Sequence, residues 1–125
     1  MIDQTLMEVI KTPPDAALTI VTMGPEFPHV INSWNSYIRI TDDDKILLPA
    51  GRMNVTEDNL MINDRILLTI SNREVMGKNY KGTGFLIKGT AVFSKAGKEY
   101  EIIRESFPWA RAVLIITIES SEQTL

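Results

Sequence analysis

The chain has 125 residues, 44% of them hydrophobic and 23% charged, with a net charge of −3, one histidine and no cysteine. That length lets a single domain bury a core without staples, and the missing cysteine excludes disulfides, thiolate catalysis and Cys-ligated metal centres, while a lone histidine excludes a two-histidine metal site within one chain. Mixed charge without a basic block argues against nucleic-acid binding, the apolar runs are too short to cross a bilayer, and no signal-peptide pattern opens the chain, so a cytoplasmic home is expected.

From the N-terminus, Ile2, Leu6, Val9 and Ile10 recur at helical spacing until Pro13-Pro14 forbid continuation, which predicts a short helix over Ile2 to Lys11. Asp15 to Met23 is an apolar, β-branched run ended by Gly24-Pro25 and reads as a buried strand. His29 to Ile40 reads as one long strand. Within it, Asn32 to Tyr37 mixes two large aromatics with four small hydrogen-bonding residues. Strand alternation puts Asn32, Trp34 and Ser36 on one face and Ser33, Asn35 and Tyr37 on the other. Such a stretch suits a flat polar guest, or else an unusually polar edge. Asp42-Asp43-Asp44 reads as a hairpin turn, since it lacks the ligand spacing and bidentate Glu of a calcium loop, and Asp44 to Ala50 returns as a strand.

Gly51 to Val55 breaks the pattern as a loop, and Thr56 followed by Glu57 and Asp58 resembles a helix start, with the helix running from Glu57 to Asn63. Arg65 to Ser71 is a core strand, Asn72 to Tyr80 a polar loop, and Lys81-Gly82-Thr83-Gly84 leads into a strand over Phe85 to Phe93. Tyr100, Ile103 and Phe107 predict a helix over Gly97 to Phe107, before Pro108. Ala110 to Glu119 is the last strand and Ser120 to Leu125 a polar tail. At least six strands with short turns and three short helices predict a mainly β, single-domain antiparallel barrel or sandwich rather than a doubly wound sheet.

Two features carry chemistry. A glycine loop running into a helix, Gly51 to Thr56, presents backbone N–H groups and a hydroxyl to an anion, with Arg52 and Arg73 able to add charge. An ordinary capped helix explains the same residues as simply. Trp34, Tyr37 and Trp109 are either stacking partners for a planar ring or core aromatics. His29, at a strand start after Pro28, reads as structural. No Ser-His-Asp order, nucleophile elbow or paired-carboxylate setting is present. A phosphorylated aromatic cofactor would satisfy both features together.

Several stretches in order are familiar: Pro28-His29-Val30 into Asn32 to Tyr37; Pro49-Ala50-Gly51-Arg52-Met53 with Thr56-Glu57; Gly82 to Ile87; and Trp109-Ala110-Arg111-Ala112 through to Glu122-Gln123-Thr124-Leu125. Nearly end to end, the chain resembles the FMN-binding split-barrel family, which is related to pyridoxamine 5′-phosphate oxidases and flavin reductases. The resemblance implies an antiparallel six-stranded split β-barrel with short flanking helices, a homodimer, and one non-covalent FMN per subunit close to the dimer interface. It implies that Asn32, Ser33, Trp34 and Tyr37 line the flavin and that Pro49, Ala50, Gly51, Met53 and Thr56 surround the ribityl phosphate. Ser71 and Gly84 would lie nearby, Trp109 would pack on the ring edge, and Leu125 would reach the partner's flavin. Members usually carry Lys before the Thr-Glu pair where this chain has Val55, so Arg52, at a place often held by glycine, is expected to supply the countercharge. Asp15 stands where a Glu is found. The implied function is that of a flavoprotein in electron transfer with a redox partner protein, without a catalytic residue of its own. The alternatives are an NAD(P)H-dependent flavin reductase or pyridoxamine phosphate oxidase-like oxidoreductase, and an FMN-sensing or storage protein without turnover.

Overall fold

In the computed structural model, which describes residues 2–125, Asp3 opens helix α1 (Gln4–Lys11) by accepting from the amides of Thr5 (2.7 Å) and Leu6 (3.2 Å). This satisfies two of the donors that every helix start leaves orphaned. Leu6, Val9 and Ile10 form its buried face. Distant asparagines close its other end: Asn72 Nδ2 donates to Thr12 O (2.6 Å), and Asn35 and Asn72 both donate to Val9 O at 3.3 Å.

The remaining elements are β1 (Ala17–Met23), β2 (Pro28–Trp34), a single 3-10 turn (Asn35–Tyr37), β3 (Arg39–Ile40), β4 (Ile46–Ala50) and α2 (Asn54–Ile62). They continue with β5 (Arg65–Met76), β6 (Lys81–Ser94), α3 (Lys98–Ser106) and β7 (Ala112–Gln123). All seven strands join one sheet in the order β2-β1-β5-β6-β7-β4-β3, every pair antiparallel. β2 and β3 are its two edges. They do not pair, so the sheet wraps around its core without closing and forms a split barrel.

The inner face carries the main core, with Leu18, Ile20, Ile46, Leu48, Leu68, Ile70, Ile87, Leu114 and Ile116 among its members. β4 is buried on both faces, because alternation sends Ile46 and Leu48 inward while Leu47 joins Ile103, Phe107, Ala110 and Val113 in a second cluster beneath α3. The β6–β7 register shifts at Lys88/Gly89. A β-carbon on Gly89 would come within 2.1 Å of Thr117 O, so only glycine fits where this bulge brings the two backbones together.

The expected mainly β, antiparallel split barrel with short flanking helices is the observed fold, and the two-residue β3 brings the sheet to seven strands. Boundaries differ in several places, among them the start of β6, which is Lys81 and not Phe85. The stretch His29 to Ile40 is not one strand but β2, a 3-10 turn and β3. The helix expected from Glu57 begins at Asn54, β5 runs on to Met76 through the segment read as a loop, and β7 continues to Gln123 through the segment read as a tail. In the last case Phe85 to Lys88 of β6 pair with Gln123 to Ser120, so sheet registry extends a strand whose side chains are polar. No helix among the described residues is long and apolar enough to cross a membrane.

Candidate functional site

A cleft of about 300 Å³ lies in the split of the barrel, between the end of β2 and the segment that follows β4. One wall is the β2 edge, Ile31 to Trp34. Asp15 then folds the chain over: its Oδ1 accepts from Ser36 N (2.9 Å) and its Oδ2 from Ser36 Oγ (2.6 Å), holding the 3-10 turn. That turn brings Tyr37 into the same cleft as Trp34, although strand alternation assigned them to opposite faces. Asn35 instead points inside, 2% exposed, and donates to Val9 O and to Ser71 O (2.8 Å).

The opposite wall is Pro49, Gly51, Arg52 and Met53 together with Trp109. Trp109 stands in an aromatic cluster in which ring centroids separate Tyr37 from Phe107 by 5.0 Å, Tyr37 from Trp109 by 5.7 Å and Phe107 from Trp109 by 5.7 Å. The Arg39 guanidinium covers the far side, 4.8 Å from the Phe107 centroid. Trp34 and Trp109 remain 48% and 52% exposed, which leaves aromatic surface available to a planar ligand.

Beyond Arg52 the backbone is strained on purpose. Met53, the residue before α2, takes the left-handed conformation at φ 62°, ψ 34°, which a side chain with a β-carbon adopts only at a cost. It provides no side-chain cap, and the first intrahelical bond runs from Glu57 N to Met53 O (2.9 Å). The amides of Asn54, Val55 and Thr56 therefore have no acceptor among the described residues. Thr56 is wholly buried and its Oγ1 has no partner either. Free amides, an orphaned hydroxyl and the exposed Arg52 make this end of the cleft suited to an anion.

Arg111 supports this corner. Its Nε and Nη2 donate to Arg52 O (2.9 and 2.5 Å), its Nη1 meets Glu57 Oε1 at 2.9 Å, and its backbone N donates to Ala50 O (2.9 Å). Lys95 also pairs with Glu57 (3.4 Å). Burial by itself raises the Glu57 pKa, but the hydrogen bond and charge of Arg111, joined by Lys95, outweigh it and hold the carboxyl below its ordinary value.

Of the residues singled out in the sequence, Asn32, Ser33, Trp34, Tyr37, Pro49, Gly51, Arg52, Met53 and Trp109 line the cleft. Ala50 and Thr56 are buried, outside its lining. Ser71 and Leu125 line a second cleft, of about 540 Å³, between the β5–β6 hairpin and the end of β7. Gly84 sits beside it, its carbonyl accepting from Thr124 N (2.9 Å). The Asn35–Ser71 bond connects the two regions across β5. Sequence reasoning missed Ile31, Phe107, Arg39 and Arg111. Phe107 and Arg111 flank Trp109 in the chain, the one available signal.

No protein-family profile matches the sequence. The FMN-binding protein of Nitratidesulfovibrio vulgaris (strain Miyazaki F) is 45% identical over 125 residues, covering all of both chains. Among solved structures, HupZ of Group A Streptococcus superposes with a TM-score of 0.78 at 21% identity, covering 97% of this chain and 92% of that one. An FMN-binding protein of Syntrophomonas wolfei does so with a TM-score of 0.71 at 13% identity, covering 98% and 85%. At those identities the structural likenesses speak to the fold alone. The full-length match at 45% goes further, and by it this chain belongs to the FMN-binding protein family.

Proposed function

We propose that this chain binds FMN non-covalently in the cleft at the split of the barrel, as a homodimer, and serves in electron transfer with a protein partner. The observation that carries the reading is a cleft with exposed aromatic faces at one end and, at the other, Arg52 and Met53 leading directly into the uncapped start of α2, whose orphaned Thr56 hydroxyl is buried outside the lining. A planar ring and a phosphate joined by a short chain match those two ends. The amides of Asn54 to Thr56 and the Arg52 side chain hold the phosphate, while Trp34, Tyr37 and Trp109 contact the ring and Ile31 helps keep water from it. Bound FMN supplies the one- and two-electron chemistry, and the chain supplies orientation and electrostatics.

Dimerisation is supported by the outward face of the sheet. There Val30 pairs with Val21 and Val21 with Leu67, none of them in the buried core, and Val30 is well exposed. A second copy against this face would cover the open cleft and bring Ser71, Gly84 and Leu125 to the neighbouring flavin.

A visible absorption spectrum of the purified protein, followed by FMN titration, tests the cofactor. A colourless protein whose tryptophan fluorescence ignores added FMN would defeat the reading. Steady NAD(P)H oxidation with excess free flavin would move the function to a reductase, whereas electron transfer predicts reduction without such turnover. Sedimentation equilibrium with and without FMN tests the dimer.

A further inference from the structure

Arg111 reaches the anion end of the cleft from outside it. Its guanidinium uses three nitrogens at once: Nε and Nη2 grip the Arg52 carbonyl, and Nη1 grips Glu57 in the first turn of α2. The residue's own amide is tied to Ala50 at the end of β4, and its guanidinium lies 5.7 Å from the Phe93 centroid. The three-residue segment between β4 and α2 is thereby held on both sides to Arg111, the residue that precedes β7. The left-handed Met53 lies between the two points the guanidinium grips, Arg52 O and Glu57, and it is the residue whose strain turns the amides of Asn54 to Thr56 free of any cap. A fork of this kind is something arginine can supply and lysine cannot.

The electrostatics run the same way. Glu57 sits in the same first turn as those free amides and would repel an anion placed on them, and the Arg111 contact offsets that charge. We infer that Arg111 is a positioning residue for phosphate: by clamping the Arg52 carbonyl and Glu57 it keeps the α2 start in its anion-receiving shape, and so sets the preference for FMN over the same flavin without phosphate. This rests on the FMN reading of the cleft. It adds a residue that does not line the cleft and accounts for phosphate selectivity in a chain whose Val55 offers no countercharge.

The test compares dissociation constants of FMN and riboflavin by flavin fluorescence quenching in the wild type, Arg111→Met and Arg111→Lys. Arg111→Met is expected to weaken FMN by about tenfold or more, the scale of a lost charge-assisted hydrogen-bond pair, while leaving riboflavin within about twofold. Arg111→Lys, which keeps the charge but not the fork, is expected to lose a smaller part of the FMN preference. Equal weakening of both ligands, or no change in their ratio, would overturn the assignment, and if Arg111→Met does not fold, Arg111→Lys decides by the same ratio. A wild type that binds FMN no better than riboflavin would fail the underlying phosphate reading instead, and is recognised before any variant is made.

Discussion

The six-membered ring of Trp109 lies against the bare face of Gly51, its Cζ3 and Cε3 atoms 3.4 and 3.5 Å from where a β-carbon would project. A methyl there makes ordinary contact, whereas a branched side chain has to lift the ring away from the cleft wall. Gly51→Ala is therefore expected to keep FMN binding and Gly51→Val to weaken it. Trp109→Leu is expected to weaken FMN by about three- to tenfold, the scale of one aromatic contact. Fluorescence titration measures all three, and an unchanged dissociation constant in Trp109→Leu would remove that ring from the site.

The end of α1 depends on Asn72, which is 3% exposed, donates to Thr12 O and Val9 O, and accepts from Glu74 N at 2.8 Å. Truncation would leave the part-buried Thr12 carbonyl and the Glu74 amide without partners, and Val9 O with the Asn35 bond alone. Asn72→Ala is expected to cost about 1–3 kcal/mol in urea unfolding with the fold otherwise kept. A midpoint equal to wild type would mean that water replaces the side chain there.

At the β6–β7 bulge, Gly89→Ala places a methyl into Thr117 O, and no side chain rotation relieves a clash between two backbones. A loss of about 3 kcal/mol or failure to fold is expected. Thermal melting beside Gly97→Ala provides the contrast, since nothing lies within 4 Å of a β-carbon at Gly97 and only its φ of 101° opposes the change.

The Glu57 carboxyl has a folded pKa below its ordinary value of 4.5, so the folded state binds this proton less readily than the unfolded chain. Its contribution to stability is full above the unfolded pKa and is lost as pH falls through the folded one. Wild type should thus lose stability relative to Glu57→Gln as pH falls below the ordinary carboxylate range and through the lowered folded pKa, and hold a constant difference above that range. Chemical denaturation at each pH reads this directly, and parallel curves throughout would break the assignment.

Much of this fold was legible because its strands alternate or run apolar and its helices carry stop signals. Pro13-Pro14 does end α1, and the turns at Gly24-Pro25 and Asp42 to Asp44 fall where residue chemistry placed them. What failed was non-local. The break at Asn35 to Tyr37 is held by Asp15, 21 residues away, so no period within the stretch reveals it. The start of α2 was placed late because its first turn lacks a capping side chain, and the conformation of Met53 that replaces one is held from Arg111, distant in sequence, just before the start of the neighbouring strand β7. Ser71 and Leu125 line a second cleft of the same chain, and it was resemblance, not any local pattern, that assigned Leu125 to the partner's flavin.

The two-residue length of β3 has a wider meaning. Past Leu47 the outer side of β4 has no neighbouring strand, and the ligand cleft occupies the place a longer β3 would have filled. Such a vacancy is also an invitation to other chains, because an unpaired strand edge templates aggregation. Pro49, which has no N–H to complete a ladder, stands just beyond the last β3 pair. One residue thus lines the cleft and makes the same edge a poor seed for a foreign strand, so its replacement is a change to be judged by solubility as much as by flavin.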